Sequence, residues 1–245
     1  MPDLFFDSVW LRPPSRKRTG QPTLDRDQIV RAAMELLDEE GPSGLSMRRL
    51  GTRLGAGATS LYWHVANKDD LLELVVDEVL GEIYVPEPGD THWRIALSVM
   101  ANGMRTAFLR HSWVIGLLGT KPTLGPNAMR MGERSVALLT AAGFAGMELS
   151  HVSSMIHAHA LGSATVQAAL VTATKRSGQS VGQMVEQLEP YLEQLGADHP
   201  RYDEWRKGNV VLDDPERMWN DSFAFGLERL LDGLENWLAA GKPAQ

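Results

Sequence analysis

Cysteine is absent from the 245 residues, which excludes disulfides and thiolate metal sites and fits a reducing compartment such as the cytoplasm. No uninterrupted apolar run approaches the ~18 residues that a membrane-spanning helix needs. Near the N-terminus Leu4-Phe5-Phe6 is broken at once by Asp7, so no signal peptide is expected. These absences predict a cytoplasmic protein with no membrane partner. Catalytic signatures are missing as well: there is no HExxH, no nucleophile elbow and no phosphate loop. Gly55-Ala56-Gly57 has no strand before it and reads as a turn. Neither enzymatic activity nor a cofactor nor a bound metal is expected. One further absence is local. Between Gly41 and Lys68 there is no Asp or Glu, although Arg48, Arg49, Arg53 and Lys68 all fall there.

What is present is ordinary for a globular chain with a sizeable core: 43% hydrophobic residues and 22% charged. The net charge of −7 is unevenly spread. Residues 1–68 carry ten Lys/Arg against eight Asp/Glu, and the remainder carries fourteen against twenty-three. That asymmetry suggests a DNA-facing head on an acidic body.

Taken in order, residues 1–24 read as a basic N-terminal arm in which Arg12, Arg16, Lys17 and Arg18 surround Pro13 and Pro14. Such an arm either lies along phosphates and the minor groove or is a solvated tail. Its apolar residues Phe5, Phe6, Val9 and Trp10 are unusual for a tail and are expected to dock on the body. A helix is predicted over about Asp25–Glu40, with Asp25 and Gln28 at capping-box spacing and Ile29, Ala32, Ala33, Leu36 and Leu37 on one stripe. A second, about Ser46–Leu54, and a third, about Ala58–His64, flank the glycine turn, giving a helix-turn-helix head over 25–67.

After Asn67, a predicted N-cap, Asp69 and Asp70 sit in the first turn of a long amphipathic helix carrying Leu71, Leu72, Val75, Val76, Val79 and Leu80. This connecting helix, 68–84, is a lever between head and body. Residues 85–245 show no strand alternation and are read as helices near 91–110, 125–142, 146–173, 180–195 and 214–240, with a turn around 112–118. Lys175–Leu212 is the least regular segment and is expected to be a loop with one or two loosely packed helices. The predicted fold is therefore all-α: a three-helix head, a connecting helix and an α-helical ligand-binding and dimerisation domain.

Leu61-Tyr62-Trp63-His64-Val65 with Asn67-Lys68 resembles the DNA-binding head of the TetR family of bacterial repressors, over Asp25 to about Leu80. The body resembles the tetracycline repressors themselves through Leu118-Gly119-Thr120-Lys121-Pro122-Thr123, Phe225-Gly226-Leu227-Glu228 and Gly233-Leu234-Glu235. That likeness weakens in mid-domain and fails through about 174–212.

The resemblance implies a homodimer reading a palindromic double-stranded operator. By position it places Arg48 at a base edge, Ser60, Tyr62 and His64 at bases and phosphates, and Lys68 on a phosphate. Ala58 and Thr59 stand where the tetracycline repressors have a Gln and a Pro, so a different operator is expected. Arg49 and Arg53 belong either to the DNA-facing surface or to a solvated face. Trp63 is expected in the head's core and Tyr62 at the DNA.

In the body, the resemblance places Leu117 at a drug-binding His of the tetracycline repressors, Val166 at a metal-binding Glu, and Met100 and Met104 at polar and aromatic drug contacts. A hard cation needs oxygen ligands, so a magnesium–tetracycline complex is not the expected effector. Met100, Met104, Phe108, Leu117, Thr120, Met155 and His159 instead suggest a site for an apolar or aromatic small molecule, with adaptable methionines in its wall. Each is also readable as ordinary core. His151 and His159 share a face of their helix, but no carboxylate accompanies them.

For dimerisation the last helix offers Phe225, Leu230, Leu234 and Trp237, with Ala224, Gly226 and Gly233 permitting close approach. The family pairs this helix and the one near 146–173 with their mates. Function is then expected to be ligand-responsive repression. The alternative is a ligand-binding or scaffolding protein whose head no longer reads DNA, which would lack the steep salt dependence of a phosphate-binding protein.

Overall fold

The computed structural model describes residues 8–12, 24–120, 123–209 and 214–241. Among them are ten α-helices and two short 3-10 turns, with no strand. Helix α1 (Arg26–Glu40) starts at a complete capping box. Asp25 Oδ1 accepts from the Gln28 N–H at 2.6 Å, and Gln28 Oε1 accepts from the Asp25 N–H at 3.0 Å. Its stripe of Ile29, Ala33, Leu36 and Leu37 is buried, and Gly41 ends it at a φ of 70°.

Helix α2 (Met47–Arg53) starts on the Ser46 side chain. Gly51 permits the turn after it, because a Cβ there would lie 2.7 Å from the Ala56 carbonyl oxygen. Helix α3 spans Ala58–Leu61, shorter than the predicted 58–64; the path continues as tight turns in which His64 N–H donates to the Leu61 carbonyl at 2.9 Å.

Helix α4 (Lys68–Gly81) is capped by Asn67, whose side chain accepts from the Asp70 N–H at 2.8 Å. It packs against α1 on one side and against the body on the other. The body comprises α5 (Trp93–Arg110), a 3-10 turn (Ser112–Gly116), α6 (Pro126–Ala141), α7 (Met147–Ser177), α8 (Val181–Gly196), α9 (Pro200–Asn209) and α10 (Pro215–Ala239). The most extensive helix pairing joins α5 to α7, and α10 packs along α7. Buried Leu71, Val75, Leu97, Met100, Leu139 and Ile156 link lever and body into one apolar core.

Two features lock α4 in place. Asp77 Oδ1 accepts from the Ala128 N–H at 2.9 Å and Oδ2 from the Asn127 N–H at 3.2 Å, so its carboxylate caps the positive end of α6. Gly125 makes room: a Cβ there would lie 2.2 Å from that carboxylate. On another face, the segment Ser8–Arg12 lies along the lever. Glu73 Oε2 accepts from Ser8 Oγ at 2.5 Å and from the Val9 N–H at 3.1 Å, and Arg12 Nη1 donates to Asp70 Oδ2 at 2.5 Å. Val9 and Trp10 do pack down, but against the lever α4 and not on the body as expected, because the Ser8–Arg12 segment is tied to Glu73 and Asp70 of that helix. Phe5, Phe6, Arg16, Lys17 and Arg18 lie outside the described residues.

The irregular Lys175–Leu212 segment holds two loosely packed helices, as its pattern suggests. Helix α7 runs on to Ser177 and stops at Gly178, left-handed at φ 69°. Helix α8 continues through Pro190, and a further helix, α9, follows. Helices α8 and α9 pack on each other, no residue of α8 is buried, and Tyr191, Tyr202 and Trp205 stand largely exposed.

Candidate nucleic-acid interface and ligand-binding body

Leu61 and Val65, four residues apart, fill the head's core at 0% and 1% exposure. The residues between them are pushed outward. Tyr62 and His64 are exposed, as are Thr59 and Ser60, with Ala58 half-buried. Trp63 is corrected by the structure: it is 71% exposed, two residues from each core anchor and therefore on the opposite side.

The cations of the acid-free stretch divide into two sets. Arg49 makes a two-pronged pair with Glu40, and Arg53 Nη1 donates to Glu39 at 2.7 Å while its Nη2 reaches Glu35 at 3.0 Å. The acids missing locally are thus supplied by α1. Arg53 raises its own pKa above the ordinary guanidinium range through the Glu39 hydrogen bond, and lowers that of Glu39 in return. Arg48 is exposed, and among the described residues no carboxylate pairs with it. Lys68 Nζ donates to the carbonyls of Leu45 at 2.8 Å and Pro42 at 3.2 Å, which fixes its ammonium at the loop before α2. Arg48, Thr59, Ser60, Tyr62 and His64 are all exposed, and they come from a stretch of sequence, Gly41 to Lys68, that contains no acid.

The body residues expected around an effector are not brought into one cavity. Met100, Met104 and Phe108 are sealed in the core of α5. Leu117 and Thr120 line a cavity of about 210 Å³ beside α4, together with Leu72, Val76, Leu80 and the indole of Trp10. Met155 lies exposed on α7, and His159 stacks on Phe223 of α10, ring centroids 4.9 Å apart, with Nε2 2.9 Å from the Phe223 carbonyl oxygen. Gly226 permits that stack, since a Cβ there would meet the imidazole at 2.4 Å.

Of the expected interface residues, Phe225 is 66% exposed and Trp237 is exposed with its Nε1 donating to Glu148 at 3.0 Å. Leu230 is half-buried, while Leu234 is buried within its own protomer. Val166 and Met155 add exposed apolar surface on α7, the neighbour of α10. Exposed apolar side chains thus stand on two adjacent helices.

Sequence reasoning missed two groups. The first joins head to body: His111 Nδ1 lies 2.8 Å from Asp38 Oδ1 of α1, His111 Nε2 lies 3.1 Å from Glu82 Oε1, and Trp113 Nε1 donates to Asp38. Nothing periodic announces it, because the pairing spans more than seventy residues. The second is Arg105, a buried cation on α5. A signal for it exists, since Arg105 occupies the same stripe as Ala101, Met104 and Phe108, where an apolar residue is expected.

Known proteins share both halves of this architecture. Residues 29–75 match the description Bacterial regulatory proteins, tetR family, and residues 85–238 match Tetracyclin repressor-like, C-terminal domain. An HTH-type transcriptional regulator of Saccharopolyspora erythraea is 35% identical over 227 residues, covering 93% of this chain and 91% of that one. The HTH-type transcriptional repressor DrrR1 of Streptomyces coeruleorubidus is 36% identical, covering 89% and 80% respectively. Among solved structures, ActR of Streptomyces coelicolor in complex with actinorhodin superposes with a TM-score of 0.71 at 32% identity, covering 89% of this chain and 99% of that one.

Proposed function

The chain belongs to the TetR family of bacterial transcriptional regulators, and we propose that it is a cytoplasmic, homodimeric repressor released from a palindromic operator by a small apolar or aromatic molecule. The observation that carries this reading is the exposure of Arg48, Thr59, Ser60, Tyr62 and His64, all from a stretch without acids, on a head coupled to the body through α4. Two such heads one DNA turn apart, about 34–36 Å, occupy both half-sites. An effector in the body moves α4 and alters that spacing, and the two ligands then weaken each other by about 1–3 kcal/mol. DrrR1 is named a repressor, and ActR is seen with actinorhodin, a small molecule, which supports a ligand-controlled reading. Magnesium–tetracycline is not the proposed effector, since Val166, where the tetracycline repressors have a metal-binding Glu, offers no oxygen ligand. Helices α7 and α10, with exposed Met155, Val166, Phe225 and Trp237, supply the proposed dimer surface.

The test is a gel shift on the DNA upstream of the protein's own gene. Specific binding that weakens steeply with salt and disappears in Tyr62→Ala supports the reading. A protein indifferent to that substitution, or without DNA affinity at low salt, is a scaffold and not a repressor.

A further inference from the structure

Arg105 is 8% exposed, yet no carboxylate bonds to it among the described residues. Its Nη1 donates to Asn220 Oδ1 of α10 at 2.8 Å and its Nη2 to Gln167 Oε1 of α7 at 2.5 Å; its Nε is buried with no hydrogen-bond partner. The guanidinium lies over the Phe223 ring, 4.9 Å from its centroid. Burial holds its pKa below the ordinary arginine range, and Glu216 opposes that only through space. A buried cation is costly unless an anion answers it, and amide oxygens carry only partial charge. The site is short of one negative charge.

Gln167, which accepts from this cation, also borders open space. It lines a cavity of about 260 Å³ whose walls include Leu109, Arg110, Trp113 and Lys175. Asp38, the acid in that lining, already accepts from Trp113 Nε1 at 2.6 Å and faces His111 Nδ1 at 2.8 Å. The cavity thus offers an aromatic and an aliphatic wall, the cations Lys175 and Arg110 (the latter already paired with Glu82 at 2.9 Å), and the Gln167 amide that Arg105 holds.

We propose that the effector is an aromatic acid, whose carboxylate displaces the Gln167 amide to pair with Arg105 while its ring lies against Leu109 and Trp113. This deepens the proposed function, on which it rests, by naming the effector's chemical class. A planar carboxylate matches the two-pronged guanidinium, and a pair out of water binds more strongly than one in it. The ring also reaches the joint between body and head, because Trp113 is the indole that holds Asp38 of α1.

The experiment is calorimetric titration of the full-length protein with 2-naphthoate and with its neutral isostere 2-naphthamide, each followed by a gel shift. The expected result is that the carboxylate binds roughly tenfold or more tightly than the amide, and that Arg105→Gln removes this preference. The comparison on the unaltered protein stands even where the variant folds poorly. Equal affinity for the two compounds, or no binding of the carboxylate at millimolar concentration, overturns the proposal. Operator release by both compounds alike also sinks the charge argument, but leaves the ligand-released repressor standing. A strong preference for the carboxylate without any operator release upholds the anion site and counts against the repressor reading.

Discussion

Trp113 of the body donates its indole N–H to Asp38 of the head, 2.6 Å away and seventy-five residues apart in sequence. The same carboxylate oxygen faces Nδ1 of His111, so one acid on α1 answers two buried rings of the body. Helix α1 is therefore held to the body directly as well as through α4.

Replacing Asp38 by Ala leaves the Trp113 donor buried without an acceptor and removes the Nδ1 partner of His111. The expected cost is about 2–4 kcal/mol, the sum of two orphaned polar groups. Urea unfolding at fixed protein concentration is expected to show a lower midpoint with an unchanged slope. Asp38→Asn, which keeps an oxygen in place, is expected to lose less.

Arg48 and Lys68 are expected to respond differently to truncation, although both are cations of the head. Arg48→Ala should leave the melting temperature nearly unmoved and weaken operator binding by about 1–3 kcal/mol, the value of a base-edge contact. Lys68→Met removes the donor shared by the Pro42 and Leu45 carbonyls, so it should lower head stability by about 1–2 kcal/mol as well. Equal thermal shifts in the two variants would contradict this division of labour.

Arg94 ties α5 to α10 through Asp232 at 2.5 Å, Glu228 at 2.7 Å and Glu235 at 3.0 Å. Hydrogen bonds from Arg94 and then Arg229 hold the Asp232 carboxyl below its ordinary pKa. A carboxylate depressed in the folded state stabilises above its unfolded value of about 3.9 and ceases to do so as pH falls through the lower folded value. Stability should therefore decline on acidification below about pH 4, and Arg94→Ala should shed part of that decline. Comparing urea midpoints of the two proteins near pH 6 and near pH 3 isolates the contribution from other carboxylates.

Asp70 is 1% exposed, and one of its oxygens has no hydrogen-bond partner, so the pair with Arg12 is its tie to a positive charge. Arg12→Ala leaves a buried carboxylate behind and should cost about 1–3 kcal/mol. The same substitution should speed proteolysis of the N-terminal segment, read by the mass of the trimmed product. Unchanged stability and cleavage would mean that the segment does not hold the lever.

Local rules carried most of the architecture. Asp25 with Gln28, Asn67 before Asp70, and Gly41 after Glu40 each mark a helix end by chemistry confined to a few neighbouring residues. Trp63 failed for want of context: a large aromatic is a good core candidate in general, but Leu61 and Val65 take the inward face of so short a helix. The cations of the acid-free stretch misled for a related reason. Arg49 and Arg53 find their acids on α1, which lies beside α2 in space but not in sequence. The body's site was least legible, because Met100 and Met104 have the spacing of a core whether or not a ligand lies beyond them. Arg105, a charge on an apolar stripe, is the residue whose oddity is visible without coordinates.

The carboxylate of Asp77, seated in the gap left by Gly125 at the start of α6, means that lever and body helix cannot slide past one another. A displacement of even one residue along α4 would drive that acid into the α6 backbone or leave two amide hydrogens bare. The two helices are therefore expected to travel together, so that a displacement of α6 would carry α4 with it.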